Sequence, residues 1–423
     1  MKHVILGAGP AGVIAAETLR KHAPKDEIVI IGDEPEAPYS RMAIPYLLIG
    51  KVGEEGTHLR HAADHFAQLR IKVIRGVRAT SVDIAKRCVL LDDGGSVPFD
   101  KLLIATGSSP ASPPIPGING AGVHACWTLA DARAIMKLAQ PGARVLQMGA
   151  GFIGCIILEA LAVRGVQLTV VEMGERMVPR MMGEGAGNMI RRWCEAKGIT
   201  VHTGARVDKI EPIDGGALRV SLSNGMTLEV DVIISATGVK PNIGFVKDSG
   251  IPCATGILVD AGMQTAIPGV YAAGDCAEAF DPATGKTVVS AIQPNAAEQA
   301  RCAGLNMAGH PQVQRGVTQI NVLDTLGLIS TSFGQWEGVP GGERAELTDV
   351  EAYKYIRLEF SGDLLVGANT IGLTEHVGVL RGLIESKVRL GEWKTHLMED
   401  PFRLKEAYIA CTQQQDAWLA AAA

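Results

Sequence analysis

The sequence predicts an α/β protein made of two copies of one layered unit, closed by an α+β segment. Three observations predict it. A strand–glycine turn–helix pattern occurs twice, as HVILGAGPAGVIAAETLR at 3–20 and RVLQMGAGFIGCIILEALAVRG at 144–165. Each copy is followed by a short apolar strand ending in acid, a run of short alternating segments, and an apolar strand closing on Ala-Thr-Gly. Beyond about residue 312 the repeat stops. Matched features in one order mark two homologous three-layer units, each with strands and helices alternating about a sheet.

The elements follow in order. EIVIIGDE at 27–34 supplies the second strand of the first copy. IKVIRGVRATSVD and CVLLDDGGSVPFD alternate apolar and polar residues between turn signals, the pattern of an antiparallel meander. KLLIATG at 101–107 closes the copy, and SSPASPPIPG at 108–117, with four prolines, reads as a stiff crossover. The second copy runs through QLTVVE at 167–172, a second meander from VHTGARVDKIEP to MTLEV, VIISATG at 232–238 and a VKPN linker. VTQINVL, LISTSFGQW, AYKYIRLEF and LLVGANTIG are then strand-like and precede two helical stretches. The expected division is a discontinuous domain of 1–110 and 245–312, an inserted domain of 111–244, and an α+β domain of 313–423.

Composition excludes several classes. Aromatic residues are 4% of the chain and the net charge is −5, so neither stacking platforms nor a basic footprint for nucleic acid is expected. Val145–Val163 is the best membrane-spanning candidate, yet Gln147, Glu159 and glycines at turn spacing make it strand, turn and buried helix. Neither a signal sequence ahead of the strand at Lys2 nor a membrane partner is expected. Eight scattered cysteines without a CxxC pair or metal-like clustering fit reduced thiols and a cytoplasmic location.

Gly7, Gly9 and Gly12 form GxGxxG between strand and helix. The first glycine permits the tight turn, the second lets backbone approach a pyrophosphate, and the third allows close helix packing. The helix N-terminus behind Pro10 and Ala11 then offers free N–H groups to the anion. Asp33 and Glu34 end the next strand, and Glu34 is the chosen acceptor for an adenosine ribose. Gly149, Gly151 and Gly154, with Phe152 and Ile153, repeat the fingerprint, and Glu172 ends the following strand. A carboxylate there accepts from both ribose hydroxyls and repels a 2′-phosphate, which favours NADH over NADPH, with Arg176 close by as a moderating charge. Two fingerprints call for two nucleotides. In TAIPGVYAAGDCAE, Gly274 and Asp275 can present a carboxylate to a sugar-like chain, and the helix starting near Pro294 can stabilise negative charge on a reduced ring.

On these residues the chain resembles the FAD-dependent pyridine nucleotide–disulfide oxidoreductase superfamily across about residues 1–310. The resemblance implies two Rossmann-like, glutathione reductase-like domains, bound FAD and NAD(H), and a C-terminal domain that forms a homodimer interface. It implies that Asp275 binds the flavin ribityl chain, and it adds Ala79, Ala105, Thr106, Gly107 and Gly238 to the cofactor-contacting set. Within APYSRMAIPYLLIGKV at 37–52, the PYSR start resembles the rubredoxin, putidaredoxin and nitrite reductase flavoproteins and apoptosis-inducing factor, where the Arg matched by Arg41 contacts FAD. Three departures stand out. Met42 holds the place of the single redox cysteine of NADH oxidases and coenzyme A disulfide reductases, and no CxxxxC is present. Tyr46 replaces a Lys at the flavin, so it packs on the flavin, borders the acceptor site, or is core. Ile156 replaces a Glu that touches the nicotinamide carboxamide, with Glu159 one turn on.

Met42 and Tyr46 are therefore the candidates nearest the chemistry. The expected reaction takes hydride from NADH to FAD and passes electrons to an acceptor, a ferredoxin- or rubredoxin-like redox protein. Direct reduction of oxygen, a quinone or another small molecule is one alternative. An FAD-bearing subunit or sensor with weak nicotinamide turnover is the other. Cys276, Met177, Met181, Met182, His376 and His396 are expected to pack, and Arg176, Arg180, Arg191 and Arg192 to form a solvated helix surface.

Overall fold

The computed structural model describes every residue from 1 to 422 except 283, 315, 317, 318, 374 and 376, with 414–422 described through their backbone. The chain divides into two compact units, Met1–Ala111 with Val239–Val317 and Ser112–Gly238 with Thr318–Ala423.

In the first unit, apolar runs that cannot alternate with polar residues are buried on both faces, as a parallel sheet requires. The sheet order is Val270–Ala272, Lys101–Ile104, Lys2–Leu6, Glu27–Gly32 and Ile71–Arg75, all parallel. Val4 sits between Val29 and Leu102 in register. Helix Pro10–His22 packs against helix Gln293–Met307. The meander Ala79–Asp83, Cys88–Leu91 and Ser96–Pro98 is antiparallel and supplies the third layer. The proline-rich crossover begins as Ser108–Pro110, which forms a two-stranded ribbon with Val239–Pro241 and stays out of the central sheet.

The second unit repeats the arrangement. Thr200–Thr203, Gln167–Glu172, Arg144–Met148, Val232–Ser235 and Val123–His124 form a parallel sheet in the same order, read from the opposite end. Its last strand precedes the glycine turn in sequence, whereas the counterpart in the first unit comes from residues 270–272. Val207–Pro212, Leu218–Leu222 and Thr227–Val230 form its meander.

The C-terminal part of this unit has five antiparallel strands, in the order Ile320–Thr325, Leu328–Gly334, Leu364–Ile371, Lys354–Ser361 and Glu343–Asp349. Helices Val377–Glu385, Trp393–Glu399 and Leu404–Ala422 accompany it, with Phe333, Leu358, Phe360, Leu380 and Leu397 in the shared core. The sequence pattern predicts four strands and two helices here. Glu343–Asp349 (ERAELTD) was missed because it is an edge strand with only Ala345 buried, so it carries no apolar alternation. Among the described residues no helix is long and apolar enough to cross a membrane.

Candidate functional site

The first glycine turn separates its three glycines by what surrounds them. A Cβ on Gly7, whose φ is +112°, would meet Ala105 O at 2.0 Å, and one on Gly12 would meet Gly7 O at 1.9 Å. Gly7 and Gly12 are therefore packing positions. A Cβ on Gly9 would find nothing within 4 Å. Gly9 lies open above the start of helix Pro10–His22, whose first turn carries neither a side-chain cap nor an acid. Those residues leave a cradle of backbone N–H groups of the kind a pyrophosphate fills.

The other candidates of the first unit converge on this turn at the carboxyl ends of the strands. Ala105 N donates to Leu6 O and Ala273 N to Ile104 O, which aligns Ala105–Gly107 and Gly274–Asp275 with Gly7. A Cβ on Gly274 would lie 3.4 Å from Ala11 Cβ and 3.6 Å from Ala296 Cβ, so the Gly-Asp turn fits between the two helices. Helix Gln293–Met307, with Pro294 in its first turn, also begins without a side-chain cap or an acid. Half-buried Asp275 accepts from Ser108 Oγ at 2.7 Å. Burial holds its carboxyl above the usual carboxylate range, against the opposing pull of Ser108 and Arg41.

Glu34 accepts from Tyr39 Oη at 2.6 Å and from Arg41 Nη2 at 2.7 Å, which fixes the PYSR segment over the end of the second strand. A carboxylate has about four lone-pair sites, so this pairing leaves capacity for a ribose. Asp33 is a surface residue paired with Arg78. Gly76 N and Val77 N bond Glu34 O and Gly32 O, bringing the strand that starts at Ala79 alongside. Met42 is 48% exposed and Tyr46 53% exposed. That exposure removes the core reading of Tyr46 and leaves the flavin-packing and acceptor-side readings. Ser40 Oγ donates to Gln293 Oε1 at 3.0 Å, tying the same segment to the second helix.

The second turn repeats the logic. Gly149 and Gly154 would carry a Cβ into Ala236 O at 2.4 Å and Gly149 O at 2.5 Å, while Gly151 would meet nothing within 4 Å. Helix Phe152–Val163 starts at Gly151 without a side-chain cap, with Phe152 and Ile153 in its first turn. Glu172 is 8% exposed, and its two oxygens accept from Ala150 N and Gly174 N, each at 2.7 Å. Arg176 donates to Met182 O and Pro179 O, so its charge is held on backbone carbonyls. Gly238 ends the second Ala-Thr-Gly. Ile156 is half-buried, and Glu159 accepts at 3.3 Å from Leu326 N, in the turn between the first two strands of the C-terminal sheet.

Cys276 is fully buried and lies by Ile104 O at 3.3 Å and Ala273 O at 3.4 Å, a packing position in which burial pushes the thiol up. All eight cysteines are free, and no group of three metal-ligating side chains forms among the described residues. Met177, Met181 and Met182 are core. Arg191 and Arg192 pair with Glu195 and Glu351. His396 stacks edgewise on Trp393, and His376 lies outside the described residues. Residues the sequence did not single out also shape the sites. Asn242 exchanges hydrogen bonds with Thr106 at 2.8 and 3.0 Å, and Gln299 holds Gly274 N at 2.8 Å. Asn242 is the last residue of the VKPN linker, and Gln299 lies in the helix that Pro294 opens.

Residues 1–301 match the family described as pyridine nucleotide-disulphide oxidoreductase. The chain is 34% identical over 414 residues to the NADH-dependent phenylglyoxylate dehydrogenase subunit epsilon of Aromatoleum evansii, covering 97% of this chain and 98% of the relative. It is 33% identical to an NADH oxidase of Methanocaldococcus jannaschii, covering 79% and 77%. Among solved structures, an NAD-dependent persulfide reductase from A. fulgidus superposes with TM-score 0.85 at 28% identity, covering 93% of this chain and 78% of that one. Putidaredoxin reductase, in its covalent complex with putidaredoxin, superposes with TM-score 0.89 at 23% identity, covering 97% and 99% and showing the shared fold.

Proposed function

The chain belongs to the pyridine nucleotide-disulphide oxidoreductase family, and from that premise we propose that it is an FAD-dependent NADH oxidoreductase. The observation that carries the reading is the pair of glycine turns, each with its middle glycine open and its outer two packed. We assign FAD to the first turn with Glu34, Arg41, Ala105–Gly107, Gly274, Asp275 and the helix at Pro294. NAD(H) belongs to the second turn with Glu172. Bound FAD supplies two-electron chemistry that accepts hydride from NADH and releases electrons to an acceptor.

The chain's own residues bind and orient. Asp275, held by Ser108, offers an acceptor to the flavin side chain, and the uncapped helix at Gln293 offers positive dipole where negative charge develops. Met42, in place of a thiol, leaves no sulfur relay on that segment, which points to a one-electron redox protein of ferredoxin or rubredoxin type as acceptor. The exposed Met42 and Tyr46 border the side from which such a partner approaches. We also assign a homodimer and a cytoplasmic location, in keeping with eight free thiols. NADH-dependent reduction of ferricyanide and of a ferredoxin-type protein by the FAD-loaded chain tests the reading; no turnover with either acceptor rejects it.

A second reading has a specific observation behind it. The relative that matches nearly end to end carries a subunit name. On that reading the chain is the flavin-bearing subunit of a larger oxidoreductase, and its electron partner is another subunit. Isolation of the native protein distinguishes the two readings: co-purification in fixed stoichiometry with other chains supports the subunit, and a homo-oligomer supports the free reductase.

A further inference from the structure

The peptide group joining Gly149 and Ala150 is held at both ends. Its carbonyl accepts from Gln147 Nε2 at 2.9 Å, and its N–H donates to Glu172 Oε2 at 2.7 Å. The second hydrogen of Gln147 Nε2 reaches Gly154 O at 3.0 Å, so one side-chain amide straps the first and third glycines of the turn. Gln147 has 0% exposure and lies on the central strand between Val170 and Ile234. Its Oε1 meets no donor among the described residues.

A buried amide with an orphaned oxygen is a costly choice for this position. The first copy shows that the turn itself does not need it. The residue two before the first glycine is there Ile5, fully buried between Ile30 and Leu103, with its Cγ2 lying 3.4 Å from where a Cβ on Gly12 would be. The copies also differ in the strand that follows. Register places Gly32 where Glu172 stands, so that strand position offers no carboxylate to the N–H of the Ala8 peptide. The amide and the carboxylate occur together in the second copy and are joined by one peptide.

We infer that Gln147 is a positioning residue for the NADH site. Its donated hydrogen bond fixes the tilt of the Gly149–Ala150 peptide. That peptide's N–H in turn orients Glu172, leaving the remaining carboxylate lone pairs directed for ribose hydroxyls. Hydrogen bonds in such a chain polarise one another, so the carbonyl end strengthens the N–H end. An apolar residue in place of Gln147 leaves the turn packed but lets the peptide and Glu172 rotate. The inference rests on the reading that the second turn takes NADH.

The test is equilibrium binding of NADH and NADPH, followed by nucleotide fluorescence under anaerobic conditions on FAD-loaded protein whose flavin has first been reduced with dithionite, so that the nucleotide binds without being oxidised. Gln147→Met keeps the volume, Gln147→Ile copies the first turn, and both remove the same two hydrogen bonds. FAD content reports folding of the first unit. Each variant is expected to retain FAD and to bind NADH more weakly, on the order of tenfold, as for coupled neighbours. NADPH is expected to weaken less, so the preference between the two nucleotides narrows. With Glu172→Gln added, the double variant is expected to lose no more affinity than the weaker-binding single variant. Unchanged NADH affinity and preference in both Gln147 variants, or losses that multiply independently, overturn the positioning role while the NADH site stands. A wild-type protein that binds no NADH overturns the site and the role together.

Discussion

Alanine at Gly9 and alanine at Gly12 put the same methyl group into opposite surroundings. At Gly12 the new Cβ would lie 1.9 Å from Gly7 O and 3.1 Å from Gly7 C, well short of the roughly 3.5–4.0 Å at which non-bonded heavy atoms rest. The obstacle is backbone and cannot rotate away, so the helix must withdraw from the strand. Overpacking of this kind costs about 1–3 kcal/mol and occasionally more, and a backbone-to-backbone clash belongs at the upper end. At Gly9 the backbone is extended (φ −78°, ψ −174°), and a Cβ meets nothing within 4 Å. The stability of Gly9→Ala should stay within about 0.5 kcal/mol of the parent. Its methyl nonetheless occupies the face where backbone would approach a pyrophosphate. A clash of about 1–3 kcal/mol there corresponds to roughly 5- to 150-fold weaker FAD binding. Thermal unfolding of flavin-free protein reads the first quantity, and titration with FAD reads the second. Gly12→Ala should lower Tm, whereas Gly9→Ala should keep Tm and lose FAD affinity. Parent-like FAD affinity in Gly9→Ala would refute the assignment of this turn to the cofactor.

Three further outcomes follow. Glu172→Gln removes the charge that faces a 2′-phosphate, so NADH-over-NADPH preference in binding should fall by about tenfold, equivalent to about 1.4 kcal/mol; an unchanged ratio would place the discriminating group elsewhere. Cys276→Ser should retain FAD and most NADH-to-ferricyanide turnover, with negligible reduction of disulfide substrates, and loss of turnover with FAD still bound would reinstate a thiol relay. Asp275→Asn should stabilise the flavin-free protein at pH 7, because burial raises the folded pKa of Asp275 and the ionised form therefore weakens the fold. The raised pKa makes this weakening absent below the ordinary carboxylate pKa and complete above the folded one. The gain in Tm should accordingly vanish as pH falls into the carboxylate range, and an equal gain at pH 7 and in acid would contradict the burial argument.

Local pattern made most of the fold legible. The two glycine turns, the acid-ended strands and the Ala-Thr-Gly closures are short-range signals, and both sheets formed around them in one order. Glu343–Asp349 escaped because an exposed, charged edge strand carries no burial period. In the sites, Gly7 and Gly12 are legible because their packing roles depend on residue type at fixed spacing. The long-range pairings within the sites are not. Asn242 reaches Thr106 across 136 residues and Ser108 reaches Asp275 across 167, and no local pattern encodes such pairings. Gln147 looked like an argument against a membrane span, since a single buried amide shows its purpose only when both acceptors are in place. Glu159, one turn beyond Ile156, is engaged by Leu326 N, in the turn between strands Ile320–Thr325 and Leu328–Gly334, a partner that helical spacing could not supply.

If this chain carries FAD that NADH reduces, the flavin itself reports it. The most direct measurement is the visible flavin spectrum of the purified, FAD-incubated protein, titrated anaerobically with NADH. One non-covalent FAD per chain is expected, bleached by one equivalent of NADH and restored by a ferredoxin-type protein or ferricyanide. A protein that stays colourless after incubation with FAD, or a bound flavin that NADH does not bleach, would contradict the assignment of FAD and NADH to this chain.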